Sequence, residues 1–135
     1  MTEKNKEIVR GFLETVYNDH KPEEASEFIA DDAFIQNGMH SWDGVKGYQE
    51  YMEPAFEAFP DYSLTVEEIF AKGDKVAFRF SDSGTMKGEY QGLEPTGREF
   101  SLSVVGIAHI ENGKITELRY EYDRLQMMQQ LGASP

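Results

Sequence analysis

The spacing of hydrophobic residues predicts three helices in the first 60 residues. Apolar side chains recur every three or four positions across residues 5–17, which places them on one face of a helix. Pro22 suits the first turn of a second helix over residues 22–30, where acidic side chains favour the positive helix end. A third helical pattern begins at Val45, and Pro54 within it predicts a kink or a restart.

From residue 62 the apolar and polar positions alternate, which is typical of β-strands. The predicted strands are residues 62–70, 75–85, 98–110 and 114–122. Gly73-Asp74 and Asn112-Gly113 have the residue types of tight hairpin turns. An earlier segment, residues 31–44, is rich in turn formers and predicts one short strand followed by a loop.

The chain ends in a short predicted helix with Leu125, Met128 and Leu131 on one face and Gly132 as its stop. Because helices come first and antiparallel strands follow, we predict an α+β fold. A curved antiparallel sheet would pack against about three N-terminal helices, with a short C-terminal helix.

The pairing of the last two strands decides which side chains face the interior. Two-residue and three-residue turns at Asn112-Gly113 differ by one in register, which exchanges the two faces. The two-residue turn places Arg119 and Glu121 among the apolar residues, where unpaired charge is costly. We therefore predict the three-residue turn, with Gly113 left-handed in a bulge and Tyr120 facing inward.

Composition bounds the classes of function. The length of 135 residues suits one domain spanning residues 1–135, and 39% hydrophobic residues are enough for a packed core. The net charge of −12 argues against nucleic-acid binding and against anionic membrane surfaces, because no basic cluster offsets it. No segment approaches a membrane span and the N-terminus is too charged for a signal peptide, so a cytoplasmic location is the default expectation.

The sequence predicts no cofactor and no metal. The chain has no cysteine, and its three histidines do not have the spacing of a metal site. It also has no glycine-rich phosphate loop and no Ser-His-Asp set.

Asp82 is the candidate catalytic base. Alternation along residues 76–84 puts it on the same side as Phe78 and Phe80, at the end of an apolar row. Desolvation there would raise its pKa, as a general base near neutral pH requires. The alternative is that the strand end is solvated, or that Asp82 starts a turn before Ser83.

Asp123 is a second acidic candidate, at the junction of the last strand and the last helix. Gln126 follows it at the third position, which is a capping-box pattern. The strand alternation also places Asp123 on the same outward-facing side as Arg119 and Glu121. We therefore interpret Asp123 as a helix cap.

Three residues of the segment 31–44 are candidate ligand contacts. Asn37 could hydrogen-bond a ligand carbonyl, although asparagine is also common in turns. His40 has a suitable pKa for proton transfer, although a lone loop histidine is often only exposed. Trp42 could stack on a flat ligand or pack on a helix.

The stretch GEYQGLEPTGREFSLSVVGIAHIENGKITE, residues 88–117, resembles the SnoaL-like polyketide cyclases. The segments AFPDYSLTVEEI and QQLG look like the same family. The resemblance implies the cone-shaped fold that these cyclases share with nuclear transport factor 2 and ketosteroid isomerase, with an apolar pocket inside the cone and often a homodimer. The scaffold carries isomerases, cyclases, hydrolases and inert binding modules, so fold alone does not give function.

The resemblance also shows where this chain departs from related enzymes. The cyclases align their acid/base aspartate with Tyr120 and their pocket histidine with Gly106. The ketosteroid isomerases align their base with Asn37 and their oxyanion-binding acid with Gly106. A tyrosine with an ordinary pKa is a poor base and an asparagine is none, so neither role is carried over.

We therefore predict a protein that encloses a small apolar, ring-bearing or acyl molecule. If it is an enzyme, proton transfer is the expected chemistry, with Asp82 as base and Tyr120 or Tyr122 as donor to an enolate oxygen. The ligand-binding candidates are Asn37, His40, Trp42, Phe56, Phe78, Phe80, Val104 and Tyr122, and Phe12 and Leu102 complete the predicted lining. The alternative is a non-catalytic binding or dimerisation module of the same fold.

Two further expectations concern other reactions and assembly. Epoxide hydrolysis on this scaffold would need an Asp-Arg-Asp arrangement, for which Asp82, Arg119 and Asp123 are the available residues, but the last two have outward parity. A homodimer is expected through the partly apolar outer row of the third predicted strand.

Overall fold

The computed structural model describes residues 2–132 and confirms the α+β class, with helices on one face of a curved six-stranded sheet. The strands are β1 Ile29–Asn37, β2 His40–Asp43, β3 Ser63–Lys72, β4 Lys75–Thr85, β5 Glu99–Glu111 and β6 Lys114–Glu121. The helices are α1 Thr2–Phe12, which continues into a π-helical segment Leu13–Asn18, then a 3-10 helix Pro22–Glu27, α2 Val45–Ala58 and α3 Arg124–Leu131. Within residues 2–132, no helix has the length and hydrophobicity needed to cross a bilayer.

The strand order across the sheet is β2-β1-β6-β5-β4-β3. Neighbouring strands are antiparallel, as predicted, except that β1 and β6 pair in parallel. The cause is the connection through α2, which carries the chain from the β1–β2 hairpin to the far edge of the sheet. The meander β3–β4–β5–β6 then returns to β1 in the parallel sense.

The helical half departs from prediction at two segments. The second helix stops at Glu27 as a 3-10 helix, because the chain from Ile29 pairs with β6. The segment expected to hold one short strand and a loop is a hairpin, in which Asn37 pairs with His40. The third helix runs through Pro54 without restarting.

The turn between β5 and β6 corrects the predicted turn but not the predicted faces. Glu111 pairs with Lys114, so the turn has two residues, and Asn112 and Gly113 both have positive φ angles of 53° and 78°. The register then shifts at Thr116, an extra residue on β6 that restores the other parity.

The bulge therefore gives β6 the same inward and outward faces that the three-residue turn predicted. Tyr120 is buried at 2% exposure, while Arg119 and Glu121 are exposed.

The core lies between the helices and the inner face of the sheet. The larger cluster packs α1 and α2 on β1, β4, β5 and β6. The smaller cluster surrounds Phe59, Phe100 and Leu102 and takes Met127 and Leu131 from α3. Leu125, which was predicted to face inward, is exposed, and Met127 occupies the inner face instead.

Candidate active site

A cavity of about 100 Å³ opens between α2 and the inner face of the sheet. Its wall is mainly aromatic and aliphatic, and it carries one carboxylate among the described residues. The wall consists of Tyr17, Asn37, Tyr51, Met52, Ala55, Phe56, Phe59, Tyr62, Phe80, Asp82, Tyr90, Phe100, Leu102, Val104, Tyr120, Tyr122 and Met127.

The cavity wall includes seven of the ten candidate site residues: Asn37, Phe56, Phe80, Asp82, Val104, Tyr120 and Tyr122. The other three candidates, His40, Trp42 and Phe78, lie outside it, as does Phe12, which is buried in the core. A residue on the inward-facing side of a strand therefore does not always line the cavity.

Phe78 lies deeper in the core than the cavity. Its ring stacks on Phe80 at 6.1 Å between centroids and meets the Tyr120 ring edge-on at 6.2 Å. Gly106 faces it from β5, and a Cβ built at Gly106 would come within 2.4 Å of the Phe78 ring. Phe78 therefore fills the space that a side chain at position 106 would need, and it packs against Tyr120 on the core side of the cavity.

His40 and Trp42 belong to strand β2 rather than to a loop. The Trp42 ring packs against Tyr51 at 4.7 Å and Tyr48 at 5.3 Å, and His40 packs on Trp42 and Tyr51. Both residues thus lie behind the wall, where they pack against Tyr51, which is one of its members.

Asp82 sits in the cavity wall at the apolar end of β4. One carboxylate oxygen, Oδ2, accepts a hydrogen bond of 2.7 Å from the hydroxyl of Tyr62. The other, Oδ1, is buried and has no hydrogen-bond partner within residues 2–132. Burial raises the pKa of Asp82 to about 6, against the hydrogen bond from Tyr62, which lowers it. The carboxylate is therefore mostly ionised at neutral pH and has one oxygen free to take a proton.

All seven tyrosines of the chain gather at this cavity. Six lie in the wall, and the seventh, Tyr48, contacts two of them from behind. Burial is the main cause that raises the pKa of every one, to about 12 for Tyr90 and Tyr122. The cavity therefore presents neutral phenol groups, which can donate hydrogen bonds to a ligand oxygen.

Four tyrosines of the wall were not among the site residues predicted from the sequence: Tyr17, Tyr51, Tyr62 and Tyr90. They come from the π-helical segment, from α2 and from the chain before β3 and after β4, so no single spacing links them. The one available signal was compositional, since seven tyrosines is a high number beside nine phenylalanines and one tryptophan.

Three of the phenols form a closed triad. The hydroxyls of Tyr17 and Tyr120 hydrogen-bond at 2.7 Å, and the Tyr48 hydroxyl contacts both of them. A second pair, Tyr51 and Tyr90, meets at 3.2 Å between hydroxyl oxygens. Buried hydroxyls usually find a partner, and these find one another.

The remaining predicted acids and bases lie away from the cavity. Asp123 is exposed and caps α3, where its Oδ1 accepts from the Gln126 amide at 2.8 Å. Arg119 is exposed on the outer face and pairs with Glu117. The Asp-Arg-Asp set of an epoxide hydrolase is therefore not assembled from these residues. Across residues 2–132, no cluster of three or more His, Asp or Glu side chains is positioned to hold a metal ion.

Comparison with known proteins identifies the same family that the sequence resembles. Residues 7–131 match the sequence model of the SnoaL-like polyketide cyclase family. No curated protein gives a match by sequence.

Solved structures share the fold over nearly the full chain. IdmH from Streptomyces antibioticus, a proposed polyketide cyclase, is 28% identical, with 96% of this chain and 99% of that chain covered and a TM-score of 0.82. A SnoaL-like protein from Jannaschia sp. CCS1 is 22% identical, with 100% and 96% covered and a TM-score of 0.90. An epoxide hydrolase from M. tuberculosis is 18% identical, with 96% and 90% covered and a TM-score of 0.76. The last two support the fold alone.

Proposed function

Because the chain belongs to the SnoaL-like polyketide cyclase family, we propose that it is a cyclase or isomerase acting by proton transfer on a small ring-bearing or acyl molecule held in the cavity. The observation that carries the proposal is the state of Asp82. It is a carboxylate in an apolar wall, with a raised pKa, one oxygen held by Tyr62 and the other unpartnered.

The proposed reaction begins at a carbon next to a carbonyl group. Oδ1 of Asp82 removes the carbon-bound proton, and the electron pair moves to the carbonyl oxygen to give an enolate. A neutral phenol of Tyr120 or Tyr122 donates a hydrogen bond to that oxygen. In a cyclisation the enolate carbon attacks a second carbonyl of the same molecule, and the oxygen of that carbonyl takes the proton back from Asp82. In an isomerisation the enolate is conjugated with a carbon–carbon double bond, and Asp82 returns the proton to the far carbon of that system, which shifts the double bond.

The position of the base differs from the one that the family resemblance implies. That position holds Tyr120 on β6, whereas Asp82 lies on β4, two strands away across β5. We therefore propose a relocated base acting across the same cavity. Tyr62 fixes the carboxylate orientation, and the aromatic wall limits water at Oδ1.

The test is proton exchange from a ring-bearing ketone that needs no knowledge of the natural substrate. We would incubate 1-tetralone in D₂O with the protein and follow deuterium uptake at the α-carbon by mass spectrometry. Asp82→Asn should lower the protein-dependent rate by roughly 10²- to 10⁴-fold, the usual contribution of a positioned base. Asp123→Asn is the matched control, because that carboxylate is exposed and outside the cavity, and it should leave the rate unchanged. Equal rates for Asp82→Asn and the unmodified protein would refute the assignment.

The second candidate is a binding module without catalysis. It is favoured by Tyr120 and Gly106 at the positions where the resemblance implies an acid/base aspartate and a histidine. Such a module would be stabilised by 1-tetralone in a thermal-shift measurement, since binding to the native state raises the unfolding midpoint. It would give no exchange above the buffer rate.

We propose that the protein acts as a homodimer through the outer face of β5. Val105 and Ile107 expose half of their surfaces there, at 50% and 54%, and Phe70 on β3 exposes 62%. Sedimentation at micromolar concentration tests this assembly, and Val105→Lys with Ile107→Lys should give a monomer.

A further inference from the structure

We propose that Tyr120 is the hydrogen-bond donor to the enolate oxygen, and that Tyr17 and Tyr48 are positioning residues that turn its proton into the cavity. This inference rests on the proposed function and chooses between the two phenols that the function leaves open. It also predicts the ligand class: a molecule with an oxygen that becomes anionic, such as an enolate or a phenolate.

The three phenols come from separate parts of the fold. Tyr17 lies on the π-helical segment, Tyr48 on α2 and Tyr120 on β6. Tyr17 and Tyr120 are in the cavity wall, whereas Tyr48 is fully buried behind them and does not touch the cavity. A ligand oxygen in the cavity can therefore hydrogen-bond to Tyr120 directly. Tyr48 can affect that oxygen only through its contact with Tyr120 or Tyr17.

Counting protons separates a closed state of the triad from a second state, in which Tyr120 donates outward. Three hydroxyls have three protons and make three mutual contacts, so a closed ring uses every proton internally. The ring then has no proton to donate to a ligand. If Tyr17 and Tyr48 both donate to Tyr120, the contact between Tyr17 and Tyr48 loses its hydrogen bond, and the Tyr120 proton is free to point outward.

The second state makes Tyr120 a stronger donor than an isolated phenol. Two hydrogen bonds received by its oxygen polarise the outgoing O–H bond in the same direction. Burial raises the pKa of Tyr120, and its hydrogen bonds with Tyr17 and Tyr48 act in the opposite direction.

Tyr122 lacks this support. Its ring lies against Gly38, and no hydrogen bond between its hydroxyl and Tyr17, Tyr48 or Tyr120 is present in the described chain. No lysine, arginine or histidine lines the cavity among residues 2–132 either. Hydrogen bonds from neutral groups, the phenols and the Asn37 amide, are therefore the means by which the wall can stabilise an anionic oxygen.

The triad is connected to Asp82 by a single residue. The Tyr62 hydroxyl binds Asp82, and the Tyr62 ring lies 5.9 Å from the Tyr17 ring between centroids. Because Asp82 and Tyr120 line the same cavity, we expect a ring-bearing ligand to place a carbon towards Asp82 and an oxygen towards Tyr120. Proton removal makes Asp82 neutral just as the oxygen becomes anionic, so the cavity holds one negative charge throughout.

The experiment uses 4-nitrophenol, whose neutral and anionic forms absorb at different wavelengths. Asp82→Asn supplies the background, because its neutral side chain matches Asp82 after it has taken the substrate proton. We would measure the Kd of the phenolate at about pH 8 and read the bound form from its absorption. The Asp82→Asn protein should bind the phenolate about 10-fold or more tightly than the unmodified protein, since a like charge has been removed.

Two substitutions in that background test the inference. Tyr120→Phe should weaken phenolate binding by roughly 10- to 100-fold, the effect of losing a hydrogen bond to a charged group. Tyr48→Phe, which changes no cavity wall residue, should weaken it by roughly 3- to 10-fold. In a Tyr120→Phe protein the added Tyr48→Phe change should have no further effect, because Tyr48 acts only through Tyr120.

The control ligand is 4-nitrotoluene, which has the same ring without the hydroxyl. Its Kd should be unchanged by Tyr48→Phe, so a purely structural role of Tyr48 would appear as equal losses for both ligands. That result would overturn the inference, as would unchanged phenolate affinity in Tyr120→Phe or no saturable phenolate binding in Asp82→Asn. If these occur while Asp82-dependent exchange of 1-tetralone persists, the proposed function stands and the donor assignment alone is wrong.

Discussion

The cavity has two ends that differ in what they do with a proton. At one end Asp82 is ionised near neutral pH, has a single hydrogen-bond partner and leaves one oxygen free. At the other end Tyr17, Tyr48 and Tyr120 are neutral and contact one another through their hydroxyls, with Tyr48 and Tyr120 buried and Tyr17 half-buried. The carboxylate end can accept a proton, whereas the phenol end can donate a hydrogen bond.

The difference arises from burial acting on two kinds of group. Desolvation disfavours the charged form of each, so it raises the pKa of a carboxyl and of a phenol alike. For Asp82 the rise brings the pKa to about 6, close to the operating range of a base. For the tyrosines the same rise moves ionisation further from neutral pH, which keeps them protonated as donors. The same apolar environment therefore suits Asp82 to accept a proton and the tyrosines to donate hydrogen bonds.

The two ends also differ in how tightly they are packed, and Gly106→Ala should disrupt the phenol end. A Cβ at position 106 would lie 2.4 Å from the Phe78 ring and 2.8 Å from the Arg119 carbonyl oxygen. The carbonyl cannot move without opening the pairing of β5 with β6, so Phe78 must shift against Tyr120. We expect a loss of about 3 kcal/mol in the free energy of unfolding, measured by urea denaturation.

The matched change for Gly106→Ala is Gly73→Ala in the β3–β4 turn. A Cβ there meets no atom within 4 Å, and the φ angle of 61° is its source of strain. Its cost should be about 1 kcal/mol. A Gly106→Ala protein no less stable than Gly73→Ala would show that the phenol end is looser than described.

The carboxylate end should destabilise the fold as its group ionises. Because the folded pKa of Asp82 is about 6 against an ordinary 3.8, the folded state binds its proton more tightly than the unfolded chain. Stability from this group is therefore present below about pH 4 and is lost as pH rises to about 6. Asp82→Asn should be more stable than the unmodified protein by about 2 to 3 kcal/mol at pH 8, with the difference vanishing near pH 4.

The difference between the two proteins is the quantity to measure for this titration. Hydrogen bonds lower the pKa of Asp61 and Asp74, so these groups make both proteins less stable in acid. They cancel when urea unfolding of each protein is compared at matched pH. A pH-independent difference would mean that Asp82 is solvated and that the two ends of the cavity are alike.

Tyr62→Phe sharpens the comparison by removing the one hydrogen bond at the carboxylate end. That bond lowers the pKa of Asp82, so its loss should raise the pKa above about 6. Carbon-13 NMR of the Asp82 carboxyl group reads the midpoint directly. The ionised state should also lose about 1.5 kcal/mol of stability at pH 8, the value of a hydrogen bond to a charged group.

An unchanged Asp82 midpoint in Tyr62→Phe would contradict the 2.7 Å contact as the controlling interaction. Thr65→Val on the exposed side of β3 is a suitable control, since its side chain is outside the cavity and should leave the midpoint where it is.

The sequence was most informative where the structure depends on local spacing. Alternation predicted β4 over residues 75–85 and the inner row of β5, and both follow from one strand and its own period. Parity along β4 also predicted that Asp82 faces inward, where the cavity lies. The bulge at Thr116 was not visible, but the cost of burying Arg119 and Glu121 still gave the right faces for β6.

Features that depend on contacts between distant segments were harder to predict. The β1–β2 hairpin contains enough turn formers to resemble a loop, and its strand identity depends on the parallel pairing with β6. The tyrosine triad joins residues 31 to 103 positions apart, and no periodicity describes such a meeting. His40 and Trp42 were placed near the cavity, but the hairpin turns them behind it.

Asp123 gives the smallest predicted effect and the clearest contrast with Asp82. Both are aspartates near the end of an apolar strand, yet Asp123 is exposed and its carboxylate accepts from the Gln126 amide at the start of α3. Asp123→Ala should cost about 1 kcal/mol of stability through the lost cap, and Asp123→Asn, which can still accept that bond, should cost less. Neither change should alter 1-tetralone exchange. A loss of exchange in Asp123→Ala at full folding would mean that proton transfer depends on the α3 junction, and that the cavity between Asp82 and the triad is not the site of the chemistry.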